Sequence, residues 1–262
     1  MDIYELGWSP IGRPMMSVYV YVVRHVMVDT GLSHMRDAAC EIADRHRVNA
    51  VLLTHHHEDH SGNAAAIKYR RKIPVYAHPL ACRKMEAPFS VFPYQHIMWG
   101  KTDPLKVQPL PEVLEQDGFS FYPLHTPGHS KDHTVFLEPD RGWLFSGDLY
   151  LSDRIKYFRA DENIAEQIKS LRKVLAYDFN ALFCAHNPKI ENGKACLKRK
   201  LDYLEHFYGS VAELADQGLD EKRIMRRLKL KEVLFIRMMC FGNVSMKHMV
   251  RSVIKTRGQV SV

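Results

Sequence analysis

Apolar and polar positions along this chain alternate in two registers, and the changes of register mark its elements. Residues 17–22 (Ser-Val-Tyr-Val-Tyr-Val) and Val26-Met27-Val28 read as a strand pair that closes on Asp29. A helix is expected over about 34–46 with Ser33 as its N-cap. Residues 48–53 are mostly apolar, as a strand buried on both faces would be, and a helix is expected over about 62–71. Residues 74–77 read as a short strand. Residues 85–111, with prolines at 88, 93, 104, 109 and 111, read as an irregular loop carrying Phe89, Phe92, Tyr94, His96, Met98 and Trp99. Two roles are open for it: a wall beside a site, or a loop that packs its own aromatics on the core. Strand spacing returns at 119–125, 134–137, 143–146 and 181–185, with a helix over 161–176. Beyond Glu191, Leu201, Leu204, Phe207 and Tyr208 recur at helical spacing; Gly218-Leu219-Asp220 opens a second helix, and Gly242-Asn243 precedes a third.

The strand at 48–53 runs into Thr54-His55-His56-His57-Glu58-Asp59-His60-Ser61-Gly62. On an extended segment, side chains at 55, 57 and 59 project to one side and His60 to the other. That arrangement divides ligands between two neighbouring metals, and imidazole and carboxylate suit zinc and other first-row ions. A strand end facing a helix start is also where an α/β protein places its chemistry. His56, between two candidate ligands, is expected to point away.

The spacing H-x-H-x-D-H resembles the signature of the metallo-β-lactamase superfamily. The later landmarks follow in order: His129 in Thr126-Pro127-Gly128-His129, Asp148 after Phe145-Ser146-Gly147, and His186 after Phe183-Cys184-Ala185. Asp29 matches a buried aspartate that props the metal loop in that family. The resemblance covers roughly residues 17–186. It implies a mixed α/β, four-layer αββα sandwich, followed by a C-terminal helical extension. It also implies two divalent ions, zinc first, with iron or manganese compatible. His55, His57 and His129 would hold one ion, Asp59, His60 and His186 the other, and Asp148 would bridge them. A hydroxide shared by the ions would be the nucleophile, and Asp59 could help protonate the leaving group. His57 stands where the flavo-diiron members carry Glu, so the set is most similar to glyoxalase II and the N-acyl-homoserine lactonases. The implied activity is hydrolysis of a small acyl ester, thioester or lactone. Alternatives are a nucleic-acid-processing hydrolase and a low-turnover metal-binding regulator. His133 is open between orienting a ligand and a plain polar role, and Tyr150 between the pocket and the core.

Composition adds less. The chain has 262 residues, 46% hydrophobic, and carries a net charge of +7. From residue 194 onward 15 Lys/Arg face 7 Asp/Glu, so the tail is +8 and the remainder −1. We expect a catalytic domain over 1–192 and a basic helical extension over 193–262. The basic tail is either a nucleic-acid surface or a set of solvated helix faces. The five cysteines are scattered, with no C-x-x-C pair, which points to a reducing cytoplasm. No signal peptide and no membrane partner are expected; a small-molecule substrate is.

Overall fold

The computed structural model describes residues 1–14, 16–87 and 91–261. In chain order the elements are β1 (Asp2–Leu6), β2 (Val18–Val23), β3 (Val26–Val28), a 3-10 turn (Ser33–Met35), α1 (Arg36–Arg45), β4 (Ala50–Leu52), α2 (Glu58–Ser61), α3 (Ala64–Arg71), β5 (Val75–Ala77), α4 (Pro79–Met85), α5 (Pro93–Trp99) and β6 (Gln108–Pro109). Then follow β7 (Leu114–Gln116), β8 (Phe119–His125), β9 (Thr134–Glu138), β10 (Trp143–Gly147), α6 (Ile164–Leu175), β11 (Ala181–Cys184), α7 (Gly193–Asp216), α8 (Glu221–Arg227), α9 (Leu234–Met239) and α10 (Met246–Thr256).

The strands form two sheets, one ordered β1 through β6 and the other β11-β10-β9-β8-β7. Strand side chains alternate between faces, so each buried strand feeds two cores. In β2, Val18, Val20 and Val22 join Ile42, Ile67 and Leu53 beneath α1 and α3, while Tyr21 and Val23 turn inward. Tyr21, Val28 and Leu52 of the first sheet meet Phe121, Phe136, Phe145 and Phe183 of the second. Val135, Leu144 and Leu182 face the third core, filled by α6, α7 and α10. Three apolar layers separate four structural layers, helix, sheet, sheet, helix, as expected from the resemblance. Leu201, Leu204, Phe207 and Tyr208 of α7 lie in the third core, so the C-terminal helices share it with the second sheet.

Some local readings are corrected. Ser33 opens a 3-10 turn and does not cap α1; its hydroxyl donates to Trp99 O at 3.3 Å. The loop at 85–111 contains α5, because Pro93 occupies the first turn of a helix, where its missing N–H costs nothing. Gln95 secures that turn by accepting from the Phe92 amide at 2.9 Å. Phe89 lies outside the described residues.

Candidate metal centre

All seven candidate ligands sit where strands end at one edge of the two sheets. His55 and His57 follow β4, His129 lies in the β8–β9 connection, Asp148 follows β10, and His186 lies two residues past β11. The sheets are pinned together there: Thr134 N donates to Thr54 O at 2.8 Å and Tyr19 N to Ala185 O at 2.7 Å.

The expected alternation along the loop does not hold. Glu58 to Ser61 is a helical turn, so Asp59 and His60 are placed by α2 and not by an extended segment. The division into two groups nevertheless results. His55, His57 and His129 converge in one, and Asp59, His60, Asp148 and His186 in the other; within each, ligand atoms lie within 4.8 Å of one another. In the first, His57 Nδ1 is 2.8 Å from His55 Nε2 and 3.0 Å from His129 Nε2. In the second, His186 Nε2 is 3.4 Å from Asp59 Oδ2. Asp148 faces both: Oδ2 is 3.2 Å from His129 Nε2, while Oδ1 is 3.4 Å from His60 Nε2 and 3.5 Å from His186 Nε2.

The backing groups fix which nitrogen carries each proton. His60 Nδ1 donates to Asp29 Oδ2 at 2.7 Å, leaving Nε2 with its lone pair toward the site. Asp29 also accepts from Thr54 N and Thr54 Oγ1, both at 2.8 Å, and holds a left-handed backbone conformation (φ 58°). His186 Nδ1 donates to Ser17 O at 2.9 Å. His133 is a positioning residue: its Nε2 accepts from Asp148 N at 3.1 Å, and its Nδ1 pairs with Thr126 Oγ1 at 2.8 Å. His56 points away, bonded to Asp132 at 2.8 Å and to Lys84 at 3.1 Å. Gly147, before Asp148, has φ +46°; a Cβ there would sit 2.8 Å from Thr54 Oγ1 and 2.9 Å from His133 Nε2.

Charge divides the two groups. Burial, then neighbouring His60, holds His55 well below the usual histidine range, and burial also lowers His57. Burial opposes protonation of His60 and His186 too, but the surrounding carboxylates outweigh it and raise both. Burial would raise Asp148; His60, His186 and His129 instead drive it well down. Two acceptors in the second group, His60 Nε2 and Asp148 Oδ1, are buried without a hydrogen-bond partner. Orphaned buried acceptors are costly, and lone pairs from imidazole and carboxylate aimed at a common point fit a divalent cation.

The centre opens into a cavity of about 560 Å³ whose walls include Tyr94, Met98 and Trp99 of α5, Leu151, Ile155 and Tyr157, and Ile236 and Met239 of α9. Tyr150 is not on its wall: it is buried in the third core, and its hydroxyl donates to Asp153 at 2.6 Å. Sequence reasoning missed Lys200. Its Nζ is buried, donates to Leu149 O at 2.7 Å, and the residue lines the cavity from α7; burial pulls its pKa down to about 8. The signal was available: position 200 falls on the apolar stripe of Leu197, Leu201 and Leu204, where a solvated lysine does not belong.

The profile of the "Metallo-beta-lactamase superfamily" matches residues 13–186. A "Beta-lactamase-like protein 2 homolog" from Drosophila melanogaster is 29% identical over 71% of this chain and 64% of its own length. The chain thus covers less than two thirds of that relative. A "Hydroxyacylglutathione hydrolase" from Aeromonas hydrophila is 25% identical over 77% of this chain and 74% of its own. The crystal structure of a metallo-beta-lactamase family protein from Thermus thermophilus shares the fold over 98% of this chain and 94% of its own, at 20% identity and a TM-score of 0.67. With two thirds of its length matched in order and its ligand-type residues gathered at one sheet edge, the chain belongs to the metallo-β-lactamase superfamily.

Proposed function

We propose that the protein is a metal-dependent hydrolase of a small acyl ester or thioester with an apolar acyl group. The observation that carries the reading is Asp148 facing both ligand groups at the floor of a largely apolar cavity. His55, His57 and His129 would hold one divalent ion and Asp59, His60 and His186 the other, with Asp148 shared; zinc suits these donors. Such ions supply an activated water at neutral pH and polarise the acyl carbonyl.

The remaining work falls to the chain. Asp29 and the Ser17 carbonyl keep His60 and His186 in one tautomer. The aromatic wall of α5 excludes water and seats the acyl chain. Asp59, which lines the cavity, would take a proton from the attacking water and pass it to the departing alcohol or thiol. A thioester is favoured over other acyl bonds by the similarity to a relative whose name sets its acyl group on glutathione. In this reading residues 1–192 form the catalytic unit and 193–262 select the substrate, since Lys200, Ile236 and Met239 reach its cavity from the later segment.

The test is turnover of metal-loaded protein on acyl thioesters, esters and lactones of graded chain length. Rates that rise with acyl length and vanish with chelator support the reading. No turnover on any of them by protein with a full metal complement would overturn it.

A further inference from the structure

We propose that α9 docks the protein onto an anionic lipid surface, with the cavity mouth facing that surface. The inference rests on α9 and its neighbours and not on the hydrolase reading. Ile236, Met239 and Cys240 recur at i, i+3 and i+4 and line the cavity. The other side of the same short helix carries Leu234, Phe235 and Met238, followed by Phe241; they are 64%, 68%, 78% and 66% exposed. Arg237 is the one charged residue between Leu234 and Phe241. A helix apolar all round belongs in an interior. Here one side is covered by the cavity and the other faces solvent. Met16, Leu151 and Tyr157, which line the same cavity, are exposed as well. The apolar surface therefore continues from α9 into the mouth, a kind of patch that marks an interaction site.

Charge selects the occupant. The segment entering α9 exposes Lys222, Arg223, Arg226, Arg227, Lys229 and Lys231. None of them forms an ion pair among the described residues. The two acids of that segment are engaged elsewhere: Glu221 with Arg251, and Glu232 as acceptor for the Ser245 hydroxyl at 2.8 Å and the Lys247 amide at 3.1 Å. Aromatic and aliphatic side chains beside unpaired cations make up a segment that lies in the headgroup region of an anionic bilayer. A second copy seated on the same face about a two-fold axis would bring like charges together. Among the described residues no helix is long and apolar enough to cross a membrane, so the contact is peripheral.

Cosedimentation of the full chain with phosphatidylcholine vesicles, with and without phosphatidylglycerol, tests this at low and high salt. Binding should need phosphatidylglycerol and weaken as salt rises. Phe235→Ser with Met238→Ser, and separately Lys229→Glu with Lys231→Glu, should each weaken binding about tenfold or more with an unchanged circular dichroism spectrum. These side chains are exposed, so both variants should fold. Failure to bind anionic vesicles, or equal binding by wild type and both variants, would overturn the proposal. So would a dimer in analytical ultracentrifugation that the double serine variant splits, or binding to an acidic acyl carrier protein without vesicle binding.

Discussion

The two halves of the metal centre are built on opposite principles. The His55, His57 and His129 group is all imidazole, and burial keeps His55 and His57 neutral. The Asp59, His60, Asp148 and His186 group has two carboxylates of its own and Asp29 behind it, and these make His60 and His186 more basic. One half offers lone pairs without charge; the other offers charge as well. In a buried site a cation is attracted far more strongly by formal charge than by dipoles. The halves should therefore differ in how firmly they keep an ion, with Asp148 linking them.

Removing the link should have the largest effect. Asp148→Ala should lower kcat/KM beyond the about 100-fold typical of losing an outer hydrogen-bond partner, and reduce the metal content of both halves. Steady-state kinetics with elemental analysis checks this; wild-type activity in the variant would remove the bridge from the picture. Next comes the asymmetry itself. Asp59→Ala and His55→Ala should each retain about one equivalent of metal. The ion left in His55→Ala, held by the charged half, should resist a chelator titration longer than the one left in Asp59→Ala. The opposite order would break the comparison.

A smaller effect is expected behind the charged half. Asp29→Asn strips charge and an acceptor from Thr54 and His60. It should cost about 10- to 100-fold in activity or metal affinity and about 1–3 kcal/mol of stability, read by chelator titration and thermal melting. The smallest change tests the cavity wall. The folded-state pKa of Lys200, about 8 against an ordinary 10.5, means that the unfolded chain binds the proton more tightly. The resulting penalty is fully present below pH 8 and disappears as pH rises through 10.5. Lys200→Met removes it, so the melting temperature of the variant relative to wild type should fall between pH 7 and pH 10. A pH-independent difference would mean that Lys200 is not buried as described.

How much of this the sequence carried depends on the kind of signal. The strands were legible because β2, β4, β10 and β11 are buried on both faces and read as apolar runs. The grouping of ligands came through despite a wrong local reason, since α2 turns Asp59 and His60 where an extended loop was expected. β1 went unseen: Asp2–Leu6 buries only Leu6 fully and lacks a clean alternation. α5 was hidden by Pro93, whose helix-breaking reputation does not apply to a first turn. Partners such as Asp132 for His56 lie 76 positions away and leave no local mark. Lys200 did leave one, but among Lys198, Arg199 and Lys200 it passes for a solvated run.

The tight fit at Gly147 bears on how such a protein can change over generations. Any side chain there collides with Thr54 and His133 together, one supporting the ligand loop and the other the backbone of Asp148. Substitution at that position is blocked by two neighbours at once, so lineages drifting by single changes cannot pass through it. Leu151 and Tyr157 on the cavity wall are under no such lock, because their side chains reach solvent. Divergence is thereby steered toward what the pocket accepts and away from the frame that gathers the ligands.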